Sequence, residues 1–461
     1  MSSTDPRELL AKSPMTALQI LVVGITIGLN ALDGFDVLSI SFASPGIAKE
    51  WQIDRGALGI VLSMELIGMA MGSILLGGLA DRIGRRPTIL GCLVVMALGM
   101  FMVTTSTGVL GSALHSVLSV FMTPADYRLL DLSVWRIITG LGIGGMLAAI
   151  NAVAAEFSNT RRKSLSISMM AIGYPIGAAL GGFAVSANLS LENWRTVFYF
   201  GATVTTLFIP VVYFVLPESV HWLARKQPAG ALEKINRTLA RMGHSVVAAL
   251  PVISEEQRKR SVGDIFGPRL LATTLVVTAA YFLHITTFYY IIKWVPKIIV
   301  DMNFPASAAG GVLSWLNVGG ATGGAVVGLL SMRYKIKGVT IAVLLLSTAA
   351  IIAFGRSPAD LTRLTMICVV VGFCTNGAIN GLYSIFANVF PTHVRAFGTG
   401  FAVGVGRGGA VLAPIIAGFL FEANLSLPVV SLTMSVGSTI AALLLWLFLK
   451  SDSSASDDSP R

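Results

Sequence analysis

The segment Gly78-Leu79-Ala80-Asp81-Arg82-Ile83-Gly84-Arg85-Arg86 stands between two apolar runs, near residues 58–80 and 88–106. Its arginines and aspartate would each cost several kcal/mol in hydrocarbon, so it reads as a short polar turn at a membrane surface. Each flanking run has about the 20 residues needed to cross ~30 Å of lipid. Outward from this turn the alternation continues, with apolar runs near 17–42, 132–155, 164–187, 196–216, 270–292, 307–331, 338–355, 364–388, 397–421 and 427–449. That makes twelve spans. Composition agrees: the 461 residues are 54% hydrophobic and 12% charged, against about 25% charged in a soluble protein. A water-soluble enzyme of this size is excluded, and the fold class expected is an all-α integral membrane protein.

The net charge of +10 would suggest nucleic acid in a soluble chain. In a membrane protein its placement matters more, because Lys and Arg gather on the cytoplasmic side. With the N-terminus inside, twenty-three of the 33 basic residues fall on inner segments and eight on outer ones, while Arg136 and Arg407 lie within spans. Both termini are therefore expected in the cytoplasm. The expected organisation is a cytoplasmic segment 1–16, a six-helix bundle 17–216, a cytoplasmic loop 217–269, a second six-helix bundle 270–449 and a disordered cytoplasmic tail 450–461. Residues 232–239 in the central loop read as a short surface helix. The halves echo one another: Gly328-Leu329-Leu330-Ser331-Met332-Arg333-Tyr334-Lys335 after span eight is a degenerate copy of the opening segment. Likewise Phe157 to Arg162 before span five parallels Phe390 to Arg395 before span eleven. Two bundles related by an axis along the membrane normal would produce such correspondences. Cys92, Cys368 and Cys374 all lie in apolar runs without metal-type spacing and read as small buried thiols.

The segment from Gly78 to Arg86 resembles the signature between helices two and three of the major facilitator superfamily. Arg136-Ile137-Ile138-Thr139-Gly140-Leu141-Gly142-Ile143-Gly144-Gly145 is similar to the helix-four motif of that superfamily, and Pro217-Glu218-Ser219 closes span six as in many members. More narrowly, Asp33-Gly34-Phe35-Asp36 resembles the helix-one motif of the aromatic acid:proton symporter family, whose members carry benzoate, 4-hydroxybenzoate and muconate. Gly173-Tyr174-Pro175-Ile176-Gly177, Trp294-Val295-Pro296 and Gly404-Val405-Gly406-Arg407 fit the same family. The likeness runs from about residue 17 to 449. One departure is the stretch 106–131, longer than the tight turn usual between spans three and four.

Ionisable groups inside spans are functional candidates by default. Asp33 and Asp36 are three apart, hence on one helix face, and are expected roughly 9–14 Å below the outer end of span one, with Glu65 at a similar depth on span two. Crowded carboxylates in a low dielectric favour holding a proton, which is what proton coupling requires. Arg136 cannot shed its charge and is expected to neutralise the span-one aspartates. Arg407, near the midplane on span eleven, is suited to gripping a substrate carboxylate bidentately. His284 lies at similar depth, and Tyr174, Tyr281, Tyr383, Asn376 and Asn380 are candidates to meet a ring-bearing acid. Lys293 and Trp294 read as interface residues at the outer end of span seven. Asp81 is expected to accept amide donors at a helix N-terminus, while Arg82, Arg85 and Arg86 can pair with Glu156. The superfamily resemblance makes these five a cytoplasmic gate.

Two GxGxxG patterns, at Gly140 and Gly404, lack the preceding strand of a dinucleotide site and read as close helix packing. No HExxH, CxxC or GxSxG motif is present, so no enzyme, metal or cofactor is expected. The expectation is a proton-coupled importer of an aromatic or related unsaturated carboxylic acid, acting as a monomer in a bacterial inner membrane without nucleic-acid partners. The alternative is a carrier of nicotinate, a dicarboxylate or a sugar.

Overall fold

The computed structural model describes residues 5–105, 127–251, 265–268, 270–391 and 394–449. Among them the regular elements are helices, and twelve are long and apolar enough to cross a membrane. These are span one, Ala17–Trp51; two, Arg55–Ile83; three, Arg85–Thr104; four, Tyr127–Glu156; five, Lys163–Ser186; and six, Arg195–Val215. They continue with seven, Leu271–Asp301; eight, Ala306–Leu330; nine, Ile336–Gly355; ten, Leu361–Val389; eleven, Phe397–Glu422; and twelve, Leu427–Phe448.

Several helices outrun their apolar cores. Span one has 35 residues and is about 50 Å long, well beyond the hydrocarbon thickness. Asp33 and Asp36 therefore lie about 23–27 Å from its Trp51 end rather than close beneath a boundary at residue 42. Span seven continues to Asp301, so Lys293 (0% exposed) and Trp294 (1%) are interior residues, not interface anchors. The Trp294 indole donates to the Pro414 carbonyl at 3.2 Å. The tail 450–461 and residues 106–126 of the long stretch lie outside the described residues; its last residues, Tyr127 to Asp131, begin span four.

The chain divides into two compact units, Met1–Gln257 with Val295–Ser314, and Arg258–Trp294 with Trp315–Arg461. In the first, span one packs on five, two on four, and three on both four and six. Small residues set the spacing. A Cβ at Gly34 would stand 2.0 Å from the Tyr174 carbonyl oxygen, and one at Gly140 would stand 2.0 Å from that of Glu65. In the second unit nine packs on ten and twelve. There a Cβ at Gly319 would meet the Val369 carbonyl oxygen at 2.0 Å, joining eight to ten. Gly406 lies under the Tyr281 ring and Gly409 under the Phe282 carbonyl, joining eleven to seven. The pairings one–five, two–four and three–six thus recur as seven–eleven, eight–ten and nine–twelve. Glycines of both GxGxxG patterns serve these crossings, although Gly404 itself faces open space.

Three short helices decorate the ends of the first unit. Pro6–Lys12 starts with Asp5 accepting from the Arg7 amide at 2.9 Å and with proline in its first turn, where no amide hydrogen is needed. Its Leu10 is buried, and the segment after it is held by Thr160 N–H donating to the Ala11 carbonyl (3.0 Å) and the Asn159 amide donating to that of Ser13 (3.0 Å). Val220–Lys226 follows span six, capped by the Ser219 hydroxyl, which accepts from the Trp222 amide at 3.1 Å. Ala231–Arg241 is the surface helix expected in the central loop, burying Ile235 and Leu239 beneath an otherwise charged face.

Candidate functional site

Within the first unit, the ionisable side chains most fully withdrawn from solvent are Asp33 (1% exposed), Asp36, Glu65 and Arg136 (each 0%). Arg136 forms an ion pair with Glu65 rather than with an aspartate of span one, correcting the expected partner. Its Nη2 also donates to the main-chain oxygen of Asp36 at 3.1 Å, an oxygen that further accepts from Ser39 Oγ at 2.7 Å. Its Nη1 points to the Met100 sulfur at 3.3 Å, and its charge faces the Phe198 ring with the centroid 5.4 Å away. Both carboxyl oxygens of Asp36 are buried and make no hydrogen bond among the described residues. A buried charge pair is tolerable only when its partners are close. Arg136 and Glu65 satisfy that condition for one another, and Asp36 stands beside an already balanced pair.

The geometry follows from the glycines of spans two and four. Gly140 and Gly144 press against the backbone carbonyls of Glu65 and Met69, so the helices meet without intervening side chains and the long Glu65 and Arg136 side chains reach one another. Gly34, between the two aspartates, does the same against span five at Tyr174. Tyr174 is half-buried in this first unit.

The second unit holds the remaining candidates. Tyr281 (4% exposed) and Tyr383 (41%) share a hydrogen bond between hydroxyls at 3.0 Å, with ring centroids 5.7 Å apart. Phe386 completes the cluster, its ring centroid 5.6 Å from that of Tyr281 and 6.1 Å from that of Tyr383. Arg407 is half-buried, follows the glycine on which Tyr281 rests, and acts electrostatically on that tyrosine. Among the described residues no carboxylate pairs with Arg407. Asn376, Asn380 and Tyr383 occupy one stripe of span ten at helical spacing. The two amides lie over Gly320 and Gly324 of span eight, and Asn380 donates to the Asn376 carbonyl at 3.0 Å. His284 is fully buried with both ring nitrogens engaged, to Ser438 Oγ at 2.8 Å and to the Thr375 carbonyl at 2.9 Å. Spans seven, ten and twelve are thereby tied through one imidazole.

At the junction of spans two and three, Asp81 accepts from Arg85 Nη1 and from Arg225 Nη2, each at 2.7 Å, while Arg85 Nη2 reaches Glu156 at 3.1 Å. Asp81 is therefore not the helix cap it was expected to be. That role belongs to Glu218, whose carboxylate accepts from the amides of Arg85 (2.9 Å), Arg86 (3.3 Å) and Ser219 (2.8 Å). Burial pushes the Glu218 carboxyl above the usual carboxylate range, against those three amide donors. Arg86 instead bonds to the Tyr213 carbonyl and covers the Tyr213 ring, and Arg82 is exposed. Gly84 takes φ +113°, which admits the turn between the two helices. Glu218 and Arg225 were missed in the sequence because their partners lie over 130 residues away; the only signal was Pro217-Glu218-Ser219 itself.

Twelve apolar helices of membrane-spanning length, with ionisable side chains buried in each unit, make a polytopic membrane protein. The chain belongs to the Major Facilitator Superfamily, whose family model matches residues 26–384 and 280–461. Among characterised relatives, the gallate transporter of Pseudomonas putida is 27% identical, the match covering 95% of this chain and 94% of that one. The 4-hydroxybenzoate transporter PcaK of the same organism is 30% identical, over 89% and 88%. The 3-(3-hydroxy-phenyl)propionate transporter of Escherichia coli K12 is 27% identical, over 93% and 94%. Two solved structures share the fold. A bacterial homolog of the human lysosomal transporter Spinster superposes with TM-score 0.72 at 13% identity, covering 95% of this chain and 98% of that one. The xylose transporter XylE of E. coli gives 0.67 at 17%, with the same coverage.

Proposed function

We propose that this protein imports an aromatic or related unsaturated carboxylic acid together with protons, by alternating access in a bacterial inner membrane, with both termini cytoplasmic and the monomer as the working unit. The observation that carries the reading is the buried pair of Glu65 and Arg136 with Asp36 beside it, and Asp33 buried one turn away on the same helix. Arg136 balances Glu65, so a second negative charge at Asp36 would stand uncompensated in a dry site. A neutral, protonated Asp36 fits that site, and a carboxyl that gains and loses a proton there couples transport to the proton gradient. The relatives named for gallate, 4-hydroxybenzoate and hydroxyphenylpropionate support an aromatic acid as cargo.

In this reading Arg407 receives the substrate carboxylate, since its planar guanidinium is matched to two oxygens. Tyr281, Tyr383 and Tyr174 offer ring faces and hydroxyls, and Asn376 and Asn380 offer amides to ring substituents. His284, tied on both nitrogens, contributes by holding spans seven, ten and twelve in place. Asp81, Arg82, Arg85, Arg86 and Glu156, joined by Arg225 and Glu218, make the cytoplasmic gate. The 217–269 loop divides two six-helix bundles whose alternation would carry the cargo across. One proton per monoanion is electroneutral; a second would add about 2.3 kcal/mol per 100 mV of membrane potential.

The test is uptake of labelled 4-hydroxybenzoate into proteoliposomes under an inward proton gradient, with benzoate, muconate, nicotinate and xylose as competitors. Accumulation should collapse with a protonophore. Asp36→Asn should lose gradient-driven accumulation, and Arg407→Ala should weaken apparent affinity at least tenfold. Accumulation that survives the protonophore removes the symport reading, and preferential competition by nicotinate or xylose replaces the substrate class.

A further inference from the structure

Arg136 has more N–H donors than nearby oxygen acceptors. Glu65 and the Asp36 main-chain oxygen take Nη2, while among the described residues Nε has no hydrogen-bond partner and Nη1 rests on a thioether, 3.3 Å from Met100 Sδ. A thioether is a weak acceptor in a place where a guanidinium would favour oxygen. A stronger acceptor stands next to it. Met100 Cε and Asp36 Oδ1 both approach the same point on span six, 2.1 and 3.2 Å from where a Cβ at Gly201 would stand. The end of the Met100 side chain, whose sulfur meets Nη1, and the carboxyl of Asp36 are thus neighbours, and the absence of a side chain at Gly201 leaves them room. Methionine, unbranched and with three rotatable bonds, can withdraw without disturbing the helices.

We propose that Met100 is a positioning residue that sets the proton affinity of Asp36 by acting as a yielding acceptor for Arg136. With Asp36 protonated, the sulfur holds Nη1. When Asp36 releases its proton, its carboxylate takes Nη1 and Met100 swings aside. The charged groups around Asp36 are Glu65 from span two and Arg136 from span four, with Asp33 one turn away on its own helix. Span three presents Met100 and span six presents Gly201, neither of which titrates. This inference rests on the reading of Asp36 as the proton carrier.

The experiment compares Met100→Leu and Met100→Gln, both close to methionine in volume. The readouts are the pH of half-maximal 4-hydroxybenzoate uptake in proteoliposomes and an infrared titration, in detergent, of the protonated-carboxyl band that disappears in Asp36→Asn. Leucine offers Nη1 no acceptor, so the Asp36 carboxylate gains the guanidinium and both midpoints fall by roughly half to one pH unit, the worth of one hydrogen bond. Glutamine offers an oxygen that competes with the carboxylate, and both midpoints rise. Opposite shifts cannot come from packing damage alone. Midpoints that stay put, or move in the same direction, overturn the role of Met100. If Asp36→Asn itself retains the wild-type pH profile and band, the reading of Asp36 as proton carrier falls instead. The infrared titration reports even on a variant that no longer transports.

Discussion

Glu65 offers the sharpest separation of structure from coupling. Its ion pair with Arg136 has both side chains at 0% exposure, so replacing Glu65 by methionine leaves a guanidinium in a dry site with the Asp36 carbonyl, the Met100 sulfur and the Phe198 face as remaining company. Breaking a buried pair on one side costs about 3–5 kcal/mol, a shift of roughly two to nearly four powers of ten in a folding equilibrium. The lower end applies if the Asp36 carboxyl turns to Arg136 in compensation. Replacing both members, as Glu65→Met with Arg136→Met, removes the stranded charge, and well-packed apolar substitutes for a buried pair are neutral or stabilising by about 1–4 kcal/mol. The measurement is unfolding in mixed detergent–SDS micelles, with proteoliposome uptake measured in parallel. The single variant should be markedly less stable than wild type, the double variant near wild type, and neither should accumulate substrate. A single variant as stable as wild type, or a double variant no better than the single, would refute the view that each charge persists by virtue of the other.

Two further outcomes are expected. Gly34→Ala places a methyl group 2.0 Å from the Tyr174 carbonyl oxygen, whereas Gly24 has nothing within 4 Å of the same position. Gly34→Ala should therefore sharply lower membrane expression or uptake while Gly24→Ala leaves both unchanged, as read by quantitative blotting and initial rates. At the N-terminal helix, burial pushes the His221 imidazole below its ordinary value, with Glu156, Arg7, Lys163 and Asp5 as its charged neighbours. A histidine that binds its proton more weakly when folded contributes stability above the unfolded value near 6.5 and loses it as pH falls through that value toward the folded one. Hydrogen-exchange protection factors at residues 6–12, taken relative to the intrinsic rate at each pH, should fall as pH drops from 7.5 to 5.5, and His221→Gln should abolish that fall.

The span count was legible because hydropathy responds directly to lipid, but it reports only the greasy part of each helix. Spans one and seven run well past their apolar cores, which moved Asp33 and Asp36 to mid-helix and Lys293 into the interior. The charged candidates were legible for the same reason, since nothing hides a carboxylate in an apolar run. Their pairing was not. Choosing Glu65 over Asp36 as partner of Arg136 depends on which helices touch, and the available clue was the matched rows Gly68/Gly72 and Gly140/Gly144, whose four-residue spacing marks spans two and four as direct neighbours. At the junction of spans two and three, Asp81 has the right chemistry for a cap, but Glu218 arrives from span six with the geometry. Position in three dimensions decided between two equivalent carboxylates.

The helix Pro6–Lys12 is the first described element of the chain, yet it packs against Val220–Lys226 and the segment after it is bonded to residues 159 and 160. As the polypeptide leaves the ribosome, this helix must wait while some two hundred residues are inserted before its seat exists. Closing that ring ties the segment leading into span one to the segment leaving span six, a contact available only once all six spans between them are made.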